Sequence, residues 1–508
     1  SLVLLLVALF DKEHKNLRKY AVAGLIAVAV VITLFFTFKH SSFIQSSPIL
    51  ARIASISTTE GTANSRFMIW NMSWEGFKER PILGWGQENF LYVFSKYYNP
   101  KMYSQEPWFD RSHDVFFDWM IAGGIVGLLA YLSMFGALLY TLWWKKKHGF
   151  SLLEKSIFTG LLAGYFVHNI FVFDSLTSYI LFFSVMGFIH ALSAESPVET
   201  KTHEKKKKNE ELETGDVAVA VLTVLILTSV LVYFVNIRNW NANLDLINAI
   251  RPDGVLVDDG HGNKKIALED IVDRGLFGTG EAREQLAQFA VQTLDPRIPE
   301  AIRKQFFELT AAQFAEEMKD DPENVRTQSF AATFYARFGQ YERALEHYQT
   351  AIKLSPNRQS NYIDLAMMYV SMGRYADAES IVKKAYDLEP ANPDAGIAYA
   401  TVLIYNKKQE EAKPILAKLG DSAFDTRIIN ALGNSGYFEQ VIAIENEKIA
   451  RGLANARDYL ALAGGYASVN QKEKAYAAID QAVALDASLK DQGEQLKKQI
   501  GAGRPVTR

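Results

Sequence analysis

The chain has 508 residues, 49% of them hydrophobic, a formal net charge of −3 and no cysteine. Disulfides, thiolate metal sites and thiol nucleophiles are therefore excluded, and nucleic acid is not expected as a partner. The mean hydropathy of −0.03 averages an apolar part, up to about residue 236, with a charged helical remainder, so a single domain is excluded as well.

In chain order, residues 2–10 form an apolar run too short to cross a bilayer. It reads as the tail of a helix that starts upstream, so the sequence is expected to be a fragment. A signal peptide would need a basic leading segment. Five spanning candidates follow, at residues 20–38, 115–144, 152–173, 176–192 and 217–235. Lys12, Lys15, Arg18 and Lys19 precede the first, Lys145, Lys146 and Lys147 follow the second, and Lys205 to Lys208 stand before the last. The excess of Lys and Arg on cytoplasmic loops puts all three clusters inside. Alternation through five helices agrees with all three. It places residues 39–114 outside, with the turn around Asp174 and everything after residue 236. Tyr20, Trp143 and Trp144 stand at helix ends, as interfacial aromatics should.

The predicted architecture is all-α: a polytopic helical membrane domain over residues 1–236 with a large outer loop at 39–114, then an extracytoplasmic helical solenoid. Residues 201–213, rich in Lys and Glu, read as a cytoplasmic linker. Residues 237–320 read as a helical connector, with helical periodicity at 281–294 and 302–318 and a Gly- and Asp-rich loop at 252–265. Asp258, Asp259 and His261 resemble a metal set only loosely, and a solvated loop is the better expectation.

Residues 321–490 repeat. Pro322, Pro356 and Pro390 are 34 residues apart, and Ala344, Ala378 and Ala412 keep the same step. Gly339 and Gly373 keep it too, with Lys407 in the third copy. Leu365, Ala366, Tyr369, Gly373, Tyr375, Ala378, Ala385 and Pro390 resemble the tetratricopeptide pattern, a helix-turn-helix repeat of that period. A later copy starts near Arg457, with Leu462, Ala463, Tyr466, Ala475 and Ala482, and Gly436-Tyr437-Phe438 marks a shortened one. Such arrays bury a core by stacking and offer a concave surface to a protein partner. The plainer alternative is a spacer. Residues 491–508 are expected to be a tail.

The outer loop carries the chemistry. It contains Arg66-Phe-Met-Ile-Trp70, then Arg80-Pro-Ile-Leu-Gly-Trp-Gly86, then His113-Asp114, followed after nine residues by Gly124-Ile-Val-Gly127. This order resembles the O-antigen ligase and polymerase superfamily, over about residues 66–192. Asp114 departs from the ligases' His-[Asn/Ser/Gln] motif. Family members carry more spanning helices than remain here. The resemblance implies a glycan donor on a polyprenyl diphosphate, presented at the outer face of a bacterial cytoplasmic membrane. It also implies a glycan, lipid or protein acceptor.

The residue types fit that chemistry. A histidine side chain ordinarily titrates at about 6.5 and can take an acceptor hydroxyl's proton, which makes His113 the catalytic candidate. Arginine forks bind phosphate oxygens bidentately and stay charged, which makes Arg66, Arg80 and Arg111 candidates for the donor diphosphate. No carboxylate–histidine cluster suggests a metal, and no cofactor is implied. Asp114 reads as the cap of the next helix, Gly84-Trp85-Gly86 as a structural turn, and Gly123, Gly124 and Gly127 as helix-packing positions. His168, Asn169 and Asp174 are polar residues at one end of a spanning pair, candidates for a cavity lining. The expected reaction is metal-independent transfer of a lipid-linked glycan. Polymerisation of repeat units uses the same donor class, and a non-enzymatic scaffold that works through its repeats is the reading from another class.

Overall fold

The structure is a computed structural model that describes residues 15–54, 61–105, 107–145, 150–193, 214–251, 255–258, 264–274 and 278–502. Most of the basic clusters that set the expected topology, Lys12, Lys146, Lys147 and Lys205 to Lys208, lie outside the described residues, as do Asp259, His261 and the whole of the expected linker at 201–213. The chain divides into two compact units, Ser1–Ile247 and Asn248–Arg508.

The first unit begins with α1 (Lys15–Thr37), then the short α2 (Ser42–Gln45) and α3 (Pro48–Ala54), then α4 (Gly61–Glu79) and α5 (Phe90–Lys96). Three long helices follow: α6 (Val115–Trp143), α7 (Leu152–His168) and α8 (Leu176–Ser193). The last is α9 (Thr214–Val232), which runs through a π-turn at Tyr233–Ile237 into α10 (Arg238–Ala249). Four stretches among the described residues are long and apolar enough to cross a membrane: Arg18–Thr37, Val115–Trp143, Leu176–Ser193 and Ala218–Ala249. The expected span at 152–173 is shorter than predicted. It stops at His168 because Asn169 caps it and turns its backbone carbonyl to the N–H of Val115, 2.9 Å away.

The expected straight span at 115–144 is also corrected. Gly124 lies inside α6 with φ 62° and ψ −156°, so the helix breaks there. The bend is sharp. In a straight helix Trp119 and Tyr131 would be about 18 Å apart along the axis, yet their rings stack with centroids 5.5 Å apart. Asn169 likewise touches both legs, at the Val115 N–H and at the Tyr131 hydroxyl, 2.7 Å from its side-chain amide. The leg at residues 125–143 is about 28 Å long by helical rise and suffices to span by itself. The first leg folds back against it.

The Pro81–Gly86 segment fills the break. Ile125 and Val126 donate to the carbonyls of Pro81 and Ile82 at 2.8 and 3.4 Å, and Trp85 and Gly86 donate to those of Ile121 and Ala122 at 2.6 and 3.2 Å. Backbone groups freed by a broken helix need partners of this kind. The approach admits only glycine. A Cβ on Gly84 would lie 2.3 Å from the Ile121 oxygen, and one on Gly124 would lie 2.3 Å from the Ile82 oxygen. Gly127 faces the Trp119 carbonyl. Of the glycines expected to serve helix packing, Gly124 instead makes the bend, while the plug is the Gly84-Trp85-Gly86 segment expected as a structural turn. Beneath it, Ile69, Met72, Phe90, Val93, Phe94, Met102 and Ile121 form the loop's own core.

Among its described residues the second unit is helical apart from one antiparallel pair, β1 (Leu256–Asp258) and β2 (Lys264–Ile266), where a loop was expected. After α11 (Ala267–Asp273), α12 (Thr279–Gln292) and α13 (Glu300–Asp320), helical hairpins follow in series. They are α14 (Val325–Arg337) with α15 (Tyr341–Leu354), α16 (Gln359–Ser371) with α17 (Tyr375–Leu388), and α18 (Pro393–Tyr405) with α19 (Gln409–Leu419). Then come α20 (Thr426–Asn434) with α21 (Phe438–Ala450), and α22 (Ala456–Ser468) with α23 (Lys472–Leu485). Each hairpin turns on one left-handed residue, in order Gly339, Gly373, Lys407, Gly436 and Asn470. The step shortens only at the fourth pair, where α20 has nine residues. Ala344, Ala378 and Ala412 are fully buried, which lets each pair close. Lys490 and the first eleven residues of the expected tail fold as α24 (Lys490–Gly501), whose Ile500 joins the core of the last hairpin.

Candidate functional site

His113 ends the 39–114 loop in a left-handed conformation, φ 57°, which costs a non-glycine residue roughly 1 kcal/mol or more. Its neighbours hold it there. The Ser112 N–H and hydroxyl both donate to one Asp118 oxygen, at 2.8 and 2.7 Å. As the sequence predicts, Asp114 caps α6, accepting from the Phe116 and Phe117 N–H groups at 2.8 and 3.1 Å. Burial pushes the Asp114 carboxyl up to about 6, against the pull of those two N–H groups. The half-buried imidazole is clasped edge-on between Phe109 and Phe173, with ring centroids 5.5 and 5.4 Å away.

Phe173 belongs to the turn between α7 and α8, so that turn and the loop meet at His113. Arg111 lies over the other part of this clasp, its guanidinium carbon 5.6 Å from the Phe173 centroid. It also pairs with Glu88 at 2.8 Å, and Glu88 is itself left-handed at φ 62°. A small open cleft lies beside this pair, lined by Glu88, Asp110, Arg111 and Asp118 among others.

The other candidates fall into two groups. Arg66 lies half-buried on α4, one turn before Trp70. Trp70 stacks on Phe117 at 6.1 Å and meets Phe171 at 6.2 Å. The 169–174 turn therefore has Trp70 at Phe171 and His113 at Phe173. Arg80 is elsewhere. It is fourteen residues past Arg66, roughly 20 Å along the helix, exposed and stacked on Trp85 with 4.1 Å to the ring centroid. Arg111 thus shares the Phe173 ring with His113, Arg66 stands one helical turn from Trp70, and Arg80 stacks on Trp85.

Asn169 and Asp174 share a polar network. Asp174 accepts from the Tyr131 hydroxyl at 3.1 Å, from Tyr165, and from Ser178 at 3.0 Å. Asn169 donates to Tyr131. These bonds tie α6, α7 and α8 together beneath Phe173. His168 points away from them and is exposed. Sequence reasoning missed Asp118, Glu88 and the two tyrosines. A carboxylate and tyrosines inside apolar helices were the available signal, because such groups need partners there.

Residues 1–132 match the family described as O-Antigen ligase, and residues 324–419 match the family described as Regulator of microtubule dynamics protein 1-3. No curated protein matches the chain. Similar solved structures include a tetratricopeptide repeat protein from Parabacteroides merdae, 13% identical, with a TM-score of 0.37, covering 52% of this chain and 98% of that one. YrrB, a TPR protein with an unusual peptide-binding site, is 20% identical, with a TM-score of 0.26, covering 36% and 97%. PilW, a type IV pilus biogenesis factor, is 15% identical, with a TM-score of 0.31, covering 40% and 93%. The repeat assignment itself rests on the 34-residue step and the paired helices. Residues 1–132 are thus similar to the O-antigen ligase family, the chain has four helices long and apolar enough to cross a membrane among its described residues, and its second unit carries tetratricopeptide-like helical repeats.

Proposed function

We propose that this protein transfers a glycan from a polyprenyl diphosphate to an acceptor hydroxyl at the outer face of a bacterial cytoplasmic membrane. The observation that carries this reading is His113, held in a strained conformation where the outer loop meets the α7–α8 turn. Backbone strain of this kind concentrates at functional sites. In the proposed step the acceptor oxygen attacks the anomeric carbon, its proton passes to the His113 imidazole, and the bond to the diphosphate oxygen breaks. Arg66 and Arg111 meet the charge on the leaving diphosphate. No step is routed through a metal.

The Asp174 network positions the turn that carries Phe173. Asn169 and Asp174 then act through His113 rather than on the substrate. The outer side for the loop and for the second unit follows from the positive-inside rule. The repeats would recruit a protein, either the acceptor itself or an assembly partner.

The test is reconstitution in lipid nanodiscs with a polyprenyl-diphosphate glycan, in chelator, with sugar, glycolipid and peptide acceptors offered separately. Glycan on one acceptor class supports transfer and names the acceptor. Glycan chains lengthened on the donor lipid would favour polymerisation instead. No product from any of them, with folded protein, overturns the enzyme reading.

A further inference from the structure

The indole Nε1 of Trp70 is buried and has no hydrogen-bond partner among the described residues. A buried donor without an acceptor is costly, and native folds rarely keep one without a reason. The ring itself is well held. It stacks on Phe117, meets Phe171, and takes the edge of Phe67 at 5.2 Å. The rigid ring thus fixes where its N–H points. The site is not sealed, because Phe67 and Phe171 are 48% and 46% exposed. Arg66 lies one turn earlier on the same face of α4, and among the described residues no carboxylate pairs with it.

Two donors thus stand together on α4 without an acceptor, one charged and one neutral. Trp70 meets the turn at Phe171, two residues from the Phe173 that packs on His113, and Arg66 is its neighbour on α4. An oxygen-rich anion satisfies both. We infer that Trp70 is a donor-binding residue. Its indole N–H donates to a diphosphate oxygen of the lipid-linked substrate, beside the Arg66 guanidinium, while the ring keeps water off that contact. This rests on the ligase reading and adds to it a residue that acts by its N–H and not by its bulk.

The test is binding of a polyprenyl diphosphate, without glycan, to the protein in nanodiscs. It compares wild type with Trp70→Phe, which keeps a ring and loses only the N–H, and Trp70→Leu. A hydrogen bond to a charged group predicts a roughly tenfold to hundredfold weaker Kd in Trp70→Phe at an unchanged Tm. Equal binding by Trp70→Phe with loss in Trp70→Leu would make Trp70 a packing residue and overturn the proposal. If Trp70→Phe does not fold, the indole ¹⁵N–H resonance of Trp70 in the wild type decides. A shift on adding polyprenyl diphosphate, and none with the uncharged polyprenol, supports the bond, and an unmoved resonance overturns it. Wild type that binds no polyprenyl diphosphate defeats the ligase reading as well. Wild type that binds it while Trp70→Phe binds equally well defeats this inference alone.

Discussion

Trp119 stacks on Tyr131 at 24°, with ring centroids 5.5 Å apart, although twelve residues of one helix separate them. The contact exists because α6 folds back at Gly124, and the fold-back sets the level of everything above it. Tyr131 reaches Asp174 and Asn169, Asn169 fixes the N-terminus of α6, and that N-terminus carries His113.

The bend depends on two glycines and not on a third. Gly84→Ala and Gly124→Ala each drive a Cβ to 2.3 Å from a backbone oxygen, at a positive φ. Each should cost more than about 2 kcal/mol and lower the yield of folded protein. A Cβ on Gly123 meets nothing within 4 Å, so Gly123→Ala should be neutral or stabilising by up to about 1 kcal/mol. Thermal unfolding in one detergent compares the three.

Asp114 predicts a pH dependence. Its carboxyl is pushed up to about 6 from 3.8, so the folded protein holds the proton more tightly than the unfolded chain. The stability it contributes is full below about pH 4 and is lost as pH rises through about 6. Asparagine caps as well as aspartate and carries no charge. Asp114→Asn should therefore abolish this part of the slope and melt no lower than wild type at pH 7.5, as read from Tm against pH for both proteins. A variant with the wild-type slope would show that another group titrates.

Glu88 competes for Arg111. The pair is exposed on the Glu88 side, at 62%, so it is worth at most about 1 kcal/mol. Glu88→Gly frees the guanidinium and relieves a left-handed residue. The expected outcome is a donor KM lower by up to about fivefold, with kcat unchanged. A raised KM would mean that Glu88 holds Arg111 in its working position.

Tyr131→Phe removes one hydroxyl from the Asp174 network. Asn169 and Asp174 each lose a partner in a buried setting, at a cost of about 1–3 kcal/mol. Transfer should fall with it, because Phe173 and His113 shift together. Normal transfer with lowered stability would separate the network from the site.

In the second unit, Ala378 is fully buried between the helices of one hairpin. Ala378→Leu should overpack it and cost about 1–3 kcal/mol. Capture of a protein partner should weaken, while release of lipid diphosphate with a sugar or glycolipid acceptor should not change. Loss of both would contradict separate roles for the two units.

Much of the second unit is legible in sequence because its period is carried by small residues at fixed places. Ala344, Ala378 and Ala412 appear in the structure as the buried contacts of successive hairpins, and Lys407 adopts the same left-handed turn as Gly339 and Gly373. The membrane part is legible in composition only. Hydropathy sees residues 115–143 as one apolar run and is blind to a fold-back, because both legs are apolar. The bend rests on a partner, Pro81–Gly86, that is forty residues distant in sequence. The Asp114 cap is local and is read correctly from one residue and its helix. The different settings of the three arginines are not local, since Arg80 on the Trp85 ring and Arg111 on the Phe173 ring look like Arg66 in the sequence.

The most direct test of the account follows release of free polyprenyl diphosphate from a polyprenyl-diphosphate glycan, by wild type and by His113→Ala at matched folded amounts. The account predicts acceptor-dependent release by wild type and its loss, by a factor of at least about 10², in His113→Ala at an unchanged Tm. Equal release by the two proteins would contradict it, for the imidazole would then have no part in the transfer.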